Sequence, residues 1–354
     1  MAKELSKTLW RTVLPVVLSV GVAAWLVHSD IDMATIRSIH FDSRIVIGLL
    51  LALFFAFGRD FGLAWRFHTI ANGALSWKRA FRTDLMCAFT SAITPSVVGG
   101  SALAIFYLNQ EGIKLGRATT LTLTTLFLDE LFFVVFCPVI VCLLPWDSLF
   151  GSDMLTGKEE ILLGSVKWIF WLVYTGIVIY TLLLYLAIIG KPEMIQRLLK
   201  RLAVQKWLRR WSKRIFAIAD NMAVTSEWVK NRGARWWVRV LSGTVVSWFS
   251  RYFVVNAIFW AFVPDASQLL VFGRQFVVWV VLMVSPTPGG SGISEWLFAN
   301  YYGDLIGNIG IAAVLALVWR FFSYYIYLII GMALLPAYFG ERAVRRAAKL
   351  NKSL

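Results

Sequence analysis

Cysteine and histidine are scarce in this chain, with three of each in 354 residues. Cys87, Cys137 and Cys142 all lie in apolar segments, and His28, His40 and His68 are scattered. Neither set has the spacing of a metal site or a disulfide framework, so no metal, cofactor or crosslink is expected. Charge is thin too, at 16% of residues, and acids are the rarer sign, 20 against 35 Lys and Arg. What fills the chain is apolar: 59% of residues are hydrophobic, and mean hydropathy is +0.69. A soluble domain cannot enclose that much apolar surface, so the excess faces lipid. The net charge of +15 would suggest nucleic acid in a soluble protein. In a chain of apolar spans it is explained by basic residues gathered in cytoplasmic loops, and no nucleic-acid partner is expected.

A membrane-spanning helix needs about 20 apolar residues. Six segments qualify: 9–27, 45–67, 118–144, 162–190, 238–263 and 306–336. The first follows Lys3, Lys7 and Arg11 as a signal peptide would, but no small-x-small cleavage site precedes His28, so it reads as an uncleaved span. Two further apolar regions are interrupted. Residues 84–108 are broken by Thr94–Pro95 and Gly99–Gly100, and residues 269–302 by Pro286–Thr287–Pro288–Gly289–Gly290. Proline removes a helix donor and glycine weakens a helix interior, so neither is one straight helix. Each is a re-entrant hairpin or a pair of short crossings, and the two choices leave the chain's parity unchanged.

Loop charge sets the orientation. Loop 66–83 carries Arg66, Lys78, Arg79 and Arg82 without an acid, loop 191–237 is dense in Lys and Arg, and residues 1–11 and 337–354 are basic. Loop 145–161 is acidic, with Asp147, Asp153, Glu159 and Glu160 against Lys158. The expectation is a multi-pass protein of a bacterial inner membrane with both termini in the cytoplasm. Within 191–237, Ile195, Leu198, Leu199, Leu202, Leu208, Trp211, Ile215 and Met222 recur at roughly helical spacing among basic residues. That pattern predicts one basic amphipathic helix lying on the anionic inner leaflet.

Thr-Pro and Gly-Gly-Ser each occur twice in the chain, and both pairs fall inside the two broken regions. Arg59 precedes Thr94 by 35 residues and Arg251 precedes Thr287 by 36; Asp129 follows Thr94 by 35 and Arg320 follows Thr287 by 33. The order span with arginine, broken segment, span with a central charge therefore appears twice, in opposite orientations. The fold expected is all-α: a polytopic membrane protein of six spans plus two broken or re-entrant hairpins in an inverted-topology repeat. Residues 1–144 form the first half and 162–190 with 238–336 the second, with 191–237 a linker and 337–354 a tail. Discontinuous helices at matching positions of two halves point to a binding site near the bilayer midplane.

Charges at that depth are costly and turn inward, to one another or to a water-filled cavity. Arg59, Asp60, Asp129, Glu130, Arg251, Glu295 and Arg320 lie in or near such places. An excess of arginine over its neighbours in each half favours an anionic guest, and the guanidinium fork suits phosphate. Half-helices opening at Gly100 and Gly290 add free N–H groups. Glu295 meets an amine on the guest or carries a proton; Asp129 and Glu130 do the same or balance the arginines. The candidate binding set is thus Arg59, Thr94, Pro95, Gly99, Gly100, Asp129, Glu130, Arg251, Thr287, Pro288, Gly289, Gly290, Glu295 and Arg320.

These motifs resemble the flippase-like membrane domain of the lysylphosphatidylglycerol synthases and their stand-alone relatives. The resemblance rests on the Arg59 span, Ala92–Ile93–Thr94–Pro95 with Gly99–Gly100, Leu128–Asp129, and Pro286–Thr287–Pro288–Gly289–Gly290–Ser291–Gly292 with Glu295. It implies movement of polar lipids between leaflets. In the full synthases a cytosolic aminoacyl-transferase domain follows the membrane domain, whereas this chain ends at Leu354, so lysyl transfer is not expected. Membrane lipids are the expected partners, together with a membrane or cytosolic enzyme as a further possibility. Two other functions fit the same features: secondary transport of a small solute, and a non-catalytic role beside a cell-envelope enzyme.

Overall fold

The computed structural model describes residues 21, 41–94, 98–150, 158–205, 212–287 and 289–336. Among them there is no strand. Five helices are long and apolar enough to cross a membrane: Ser43–Ala71, Leu115–Leu143, Val166–Gly190, Ala234–Phe262 and Ile309–Pro336. They match five of the six predicted spans. The sixth, 9–27, lies almost wholly outside the described residues, as does the tail after 336.

In chain order, α1 is Ser43–Ala71, α2 Trp77–Ile93, α3 Val98–Gln110 and α4 Leu115–Leu143. A short α5, Trp146–Phe150, leads to α6, Lys158–Tyr185, which ends in a π turn, Leu186–Gly190. Then come α7, Pro192–Ala203, and α8, Ser212–Lys230. The last group is α9, Ala234–Phe262, α10, Gln268–Leu282, α11, Ile293–Tyr301, a single turn α12, Gly303–Ile306, and α13, which starts at Ile309 and runs through a π turn at Phe321–Tyr325 to Pro336.

Local chemistry sets the ends. The Asp42 carboxylate accepts from the Ile45 N–H at 3.0 Å and opens α1, and Asn308 accepts from Ile311 at 3.1 Å and opens α13. α1 stops at Asn72, which takes the left-handed conformation. Inside α4 the hydroxyls of Thr120 and Thr124 bond carbonyls one turn back, which lets polar side chains sit buried in an apolar span.

α1 and α9 form the central contact. Gly48 faces Ala257 and Ala261, Gly58 faces Ser250, and Gly62 faces Gly243 and Ser247, so the helices run antiparallel. A Cβ on Gly62 would lie 2.6 Å from the Gly243 carbonyl. Small residues let the backbones touch, as helices in lipid do when no solvent drives them together. Gly58 and Ser250 are 192 residues apart, as are Arg59 and Arg251. The crossing point therefore pairs equivalent positions of the two halves. From it the elements repeat: α1 to α4 in one half, and α9, α10, α11 and α13 in the other.

Two ion pairs repeat with them. Arg82 on α2 reaches Glu111, just past α3, at 2.7 Å. Arg274 on α10 reaches Asp304, just past α11, at 2.6 Å. Each pair ties the two feet of one hairpin. The tips meet: the Tyr324 hydroxyl donates to the Ala92 carbonyl at 3.1 Å, and Gly289 packs against both residues. Each hairpin thus reaches the other's tip.

The outer surface carries exposed apolar side chains such as Leu50, Phe54 and Phe57 on α1 and Leu172 and Ile179 on α6. That is a lipid-facing surface. The predicted single amphipathic helix at 191–237 is instead two helices, α7 and α8, with 206–211 outside the described residues. Lys200 and Gln196 on α7 bind Asp220 on α8 at 2.7 and 2.9 Å. The Lys200 ammonium holds that carboxyl below its usual range. The apolar repeat misled because it serves two surfaces: Ile195 and Leu199 pack on the bundle core, while Met194, Leu198 and Leu202 are exposed.

Candidate functional site

Where α1 and α9 cross and the two tips meet, a cavity of about 320 Å³ opens. Arg59 and Leu63 from α1, Asp84 and Cys87 from α2, and Asp129 and Glu130 from α4 form one side. Trp248 and Arg251 from α9, Trp279 from α10, Gly289 and Gly290 from the second tip, and Arg320 and Tyr327 from α13 form the other.

Three of the cavity's four arginines have a carboxylate partner. Arg66 binds Asp129 with both prongs, at 2.6 and 3.0 Å. Arg320 binds Glu295 at 2.8 Å and also donates to the Gly289 carbonyl at 3.1 Å. Arg59 lies 3.5 Å from Asp60 and stacks its guanidinium 4.0 Å above the Tyr327 ring; the Tyr327 hydroxyl in turn donates to Asp60 at 3.1 Å. Arg251 differs. It has no ion pair among the described residues; its guanidinium lies 4.6 Å from the rings of both Trp248 and Trp279. Those rings hold a cation by their π faces without neutralising it. Trp248 is fixed in turn by its Nε1–H, which donates to Asp129 at 2.8 Å.

Several polar atoms of this cavity are buried without a hydrogen-bond partner: Nε of Arg59, Nε of Arg251, Oδ2 of Asp84, Oε2 of Glu130, Nε1 of Trp279 and Oγ of Ser323. Buried polar groups are normally satisfied, so a cluster of orphans drawn from both sides of one cavity marks a place for a polar guest or water.

The structure brings together Arg59, Asp129, Glu130, Arg251, Thr287, Gly289, Gly290 and Arg320 on the cavity lining. Thr94 is beside it, its hydroxyl turned back to the Thr90 carbonyl at 2.6 Å, and Ser91 and Ala92 line the cavity in its place. Pro95 and Pro288 lie outside the described residues, and Gly99 and Gly100 lie in a stretch of α3 whose side-chain environment is not described.

Three expectations are corrected. In the first half-helix the described residues are already helical from Val98, so Gly100 lies inside the helix and does not open it. The second starts at Ile293 and not at Gly290, because Gly289, Gly290 and Gly292 all take positive φ, which a helix cannot use. Its N-terminus is also taken: Glu295 is 0% exposed and accepts from the Gly292 N–H at 2.8 Å and the Ser294 hydroxyl at 2.9 Å while binding Arg320. Nor does arginine exceed acid: Arg59, Arg66, Arg251 and Arg320 face Asp60, Asp84, Asp129, Glu130 and Glu295. What the site offers an anion is one guanidinium, that of Arg251, with no ion pair among the described residues.

Sequence reasoning missed Arg66, Asp84, Trp248 and Trp279. The first two were legible as charges in or beside apolar helices.

Residues 12–331 match the family described as lysylphosphatidylglycerol synthase TM region. A UPF0104 membrane protein of Archaeoglobus fulgidus is 24% identical over 291 residues, which cover 80% of this chain and 84% of that protein. No solved structure matches the chain.

Proposed function

Starting from the lysylphosphatidylglycerol synthase TM-region family, to which this chain belongs, we propose that the protein moves a phosphate-bearing polar lipid between leaflets through the cavity. The observation that carries this reading is Arg251, a cation at the crossing of the two central helices that is held by aromatic faces and has no carboxylate partner among the described residues. An unpaired charge at such depth is costly, so it is kept for a guest that completes it. A phosphate on Arg251 would also lie near Arg59, whose Nε contacts Asp60 only at 3.5 Å. The acyl chains would stay in lipid while the headgroup crosses.

The two hairpins supply the moving parts. They enter from opposite sides, meet at their tips and belong to equivalent halves, so exchanging their conformations opens the same cavity to the other leaflet. Loop charge supports an inner bacterial membrane with both termini cytoplasmic. The protein acts without catalysing a bond change in this reading, and lipids are its partners.

Leaflet-resolved translocation of a fluorescent anionic phospholipid in proteoliposomes tests the proposal. Arg251→Gln and Arg251→Lys should both lose most of the activity while melting near the parent, because lysine keeps the charge but not the two-pronged geometry. Full translocation by Arg251→Gln would remove the phosphate role. The cavity's modest volume favours one alternative, secondary transport of a small anionic solute. In that case the solute, and not the lipid, would protect the protein against heat.

A further inference from the structure

Asp84 has no role in the reading above, and its surroundings give it one. It is 3% exposed, lines the cavity from α2, makes no ion pair among the described residues, and its Oδ2 has no hydrogen-bond partner. The groups that act on it come from every wall. α1 brings Arg59, Asp60 and Arg66, and α9 brings Arg251. α13 brings the Tyr327 phenol, and α2 itself the Cys87 thiol. Asp129 and Glu130 stand on the α4 wall, the former occupied by Arg66, and the Tyr107 phenol of α3 packs with Met86.

We propose that Asp84 is a proton site coupled to anion binding at Arg251, so that the lipid phosphate and one proton occupy the cavity together. This rests on the function proposed above. A buried carboxylate stays ionised only if positive charge compensates it. In the empty cavity the uncommitted guanidinium of Arg251 supplies part of that compensation. A phosphate arriving on Arg251 cancels it and adds a second negative charge beside Asp60. The ionised form of Asp84 then becomes the costly one, and a proton from water closes on Oδ2 to give the neutral acid. The phosphate's departure restores the field and releases the proton. By linkage, each ligand tightens the other by the same factor. One phosphodiester and one proton cross as a neutral pair, so a proton gradient drives the lipid in the proton's own direction.

The test uses the full chain in detergent and dihexanoyl phosphatidylglycerol, whose phosphodiester does not titrate between about pH 5 and 9. Affinity is measured by calorimetry across that range. The parent should bind about tenfold more weakly per pH unit on the alkaline limb, the slope of one linked proton. Asp84→Asn, permanently neutral, should bind at every pH as the parent does in acid. Should that variant fail to fold, repeating the parent titration in buffers of different ionisation heat should show one proton taken up per anion. Binding by the parent that is independent of pH, with no proton uptake, overturns the coupling and leaves the phosphate reading intact. So does a pH slope that survives in Asp84→Asn. Inorganic phosphate as a second probe separates a lipid from a free-anion site. Absence of binding to either probe at any pH overturns both proposals, and so does unchanged binding by Arg251→Gln, because the coupling runs through that guanidinium.

Discussion

Arg274 and Asp304 make, in the second half of the chain, the contact that Arg82 and Glu111 make in the first: an arginine near the start of a hairpin's first arm bound to an acid just past its second, 30 and 29 residues apart. The two arginines are 192 residues apart and the two acids 193, the interval that separates Arg59 from Arg251. The repeat is thus built into the salt bridges as well as into the helices.

The two latches should not be equal in energy. The Arg274 side chain is 1% exposed and also donates to the carbonyls of Ser148 and Tyr301. Glu111 is 1% exposed but is reached by Arg79 as well, at 3.7 Å, so losing Arg82 does not leave it without a cation. Losing Arg274 removes the cation from Asp304 and also leaves the Ser148 and Tyr301 carbonyls without their donor. Arg274→Gln should therefore lower melting well below Arg82→Gln. Equal melting of the two variants would contradict the argument from shared partners.

The second tip gives a sharper contrast between holding and binding. Glu295 and Arg320 neutralise each other and together fix Gly289, Gly292 and Ser294. Glu295→Gln should melt early, by about 3–5 kcal/mol, because Arg320 is then left buried and uncompensated. The double variant Glu295→Leu, Arg320→Met should recover part of that loss, since replacing both charges removes the desolvation cost of each. Thermal unfolding of the three proteins in detergent decides it. If Glu295→Gln melts like the parent but cannot translocate lipid, the pair belongs to the guest and not to the fold.

The spans were legible because about 20 apolar residues in a row have one stable solution in lipid. The hairpins were legible because Thr94–Pro95 and Thr287–Pro288 break two of those runs at matched positions. The charges were harder. Arg66 read as a loop residue because the apolar run fades at Phe67, yet α1 continues to Ala71 and carries Arg66 inside, where Asp129 and Thr244 receive it. Asp84 sits two residues after Arg82, at the very start of the broken region 84–108, and nothing in that local pattern singles it out. Which arginine is neutralised depends on contacts such as Arg66 with Asp129, 63 residues apart, and no local pattern encodes them. The interval of 192 residues was the one available signal, and it would have paired Arg82 with Arg274.

Trp248 and Trp279 hold the Arg251 guanidinium at the same distance, 4.6 Å, but they are not equivalent. Trp248 donates to Asp129, stacks on Phe132 at 5.7 Å and belongs to the buried aromatic core. The Nε1 of Trp279 has no partner. Removing the Trp248 ring takes away a packing element and loosens the Arg66–Asp129 pair along with the clamp. Removing the Trp279 ring takes away one face of the clamp and leaves no polar group stranded. A cation–π contact out of bulk water is worth about 0.5–2 kcal/mol, so Trp279→Leu should weaken anionic-lipid binding several-fold with melting close to the parent. Trp248→Leu should lose both binding and stability, by about 3 kcal/mol or more in melting, as large core truncations do. Trp279→Phe, which keeps a weaker π face, should fall between the parent and Trp279→Leu. The order parent, Trp279→Phe, Trp279→Leu in affinity for dihexanoyl phosphatidylglycerol is the signature of a clamp. If all three bind alike, Arg251 is positioned by the backbone of α9 alone and the tryptophans are packing.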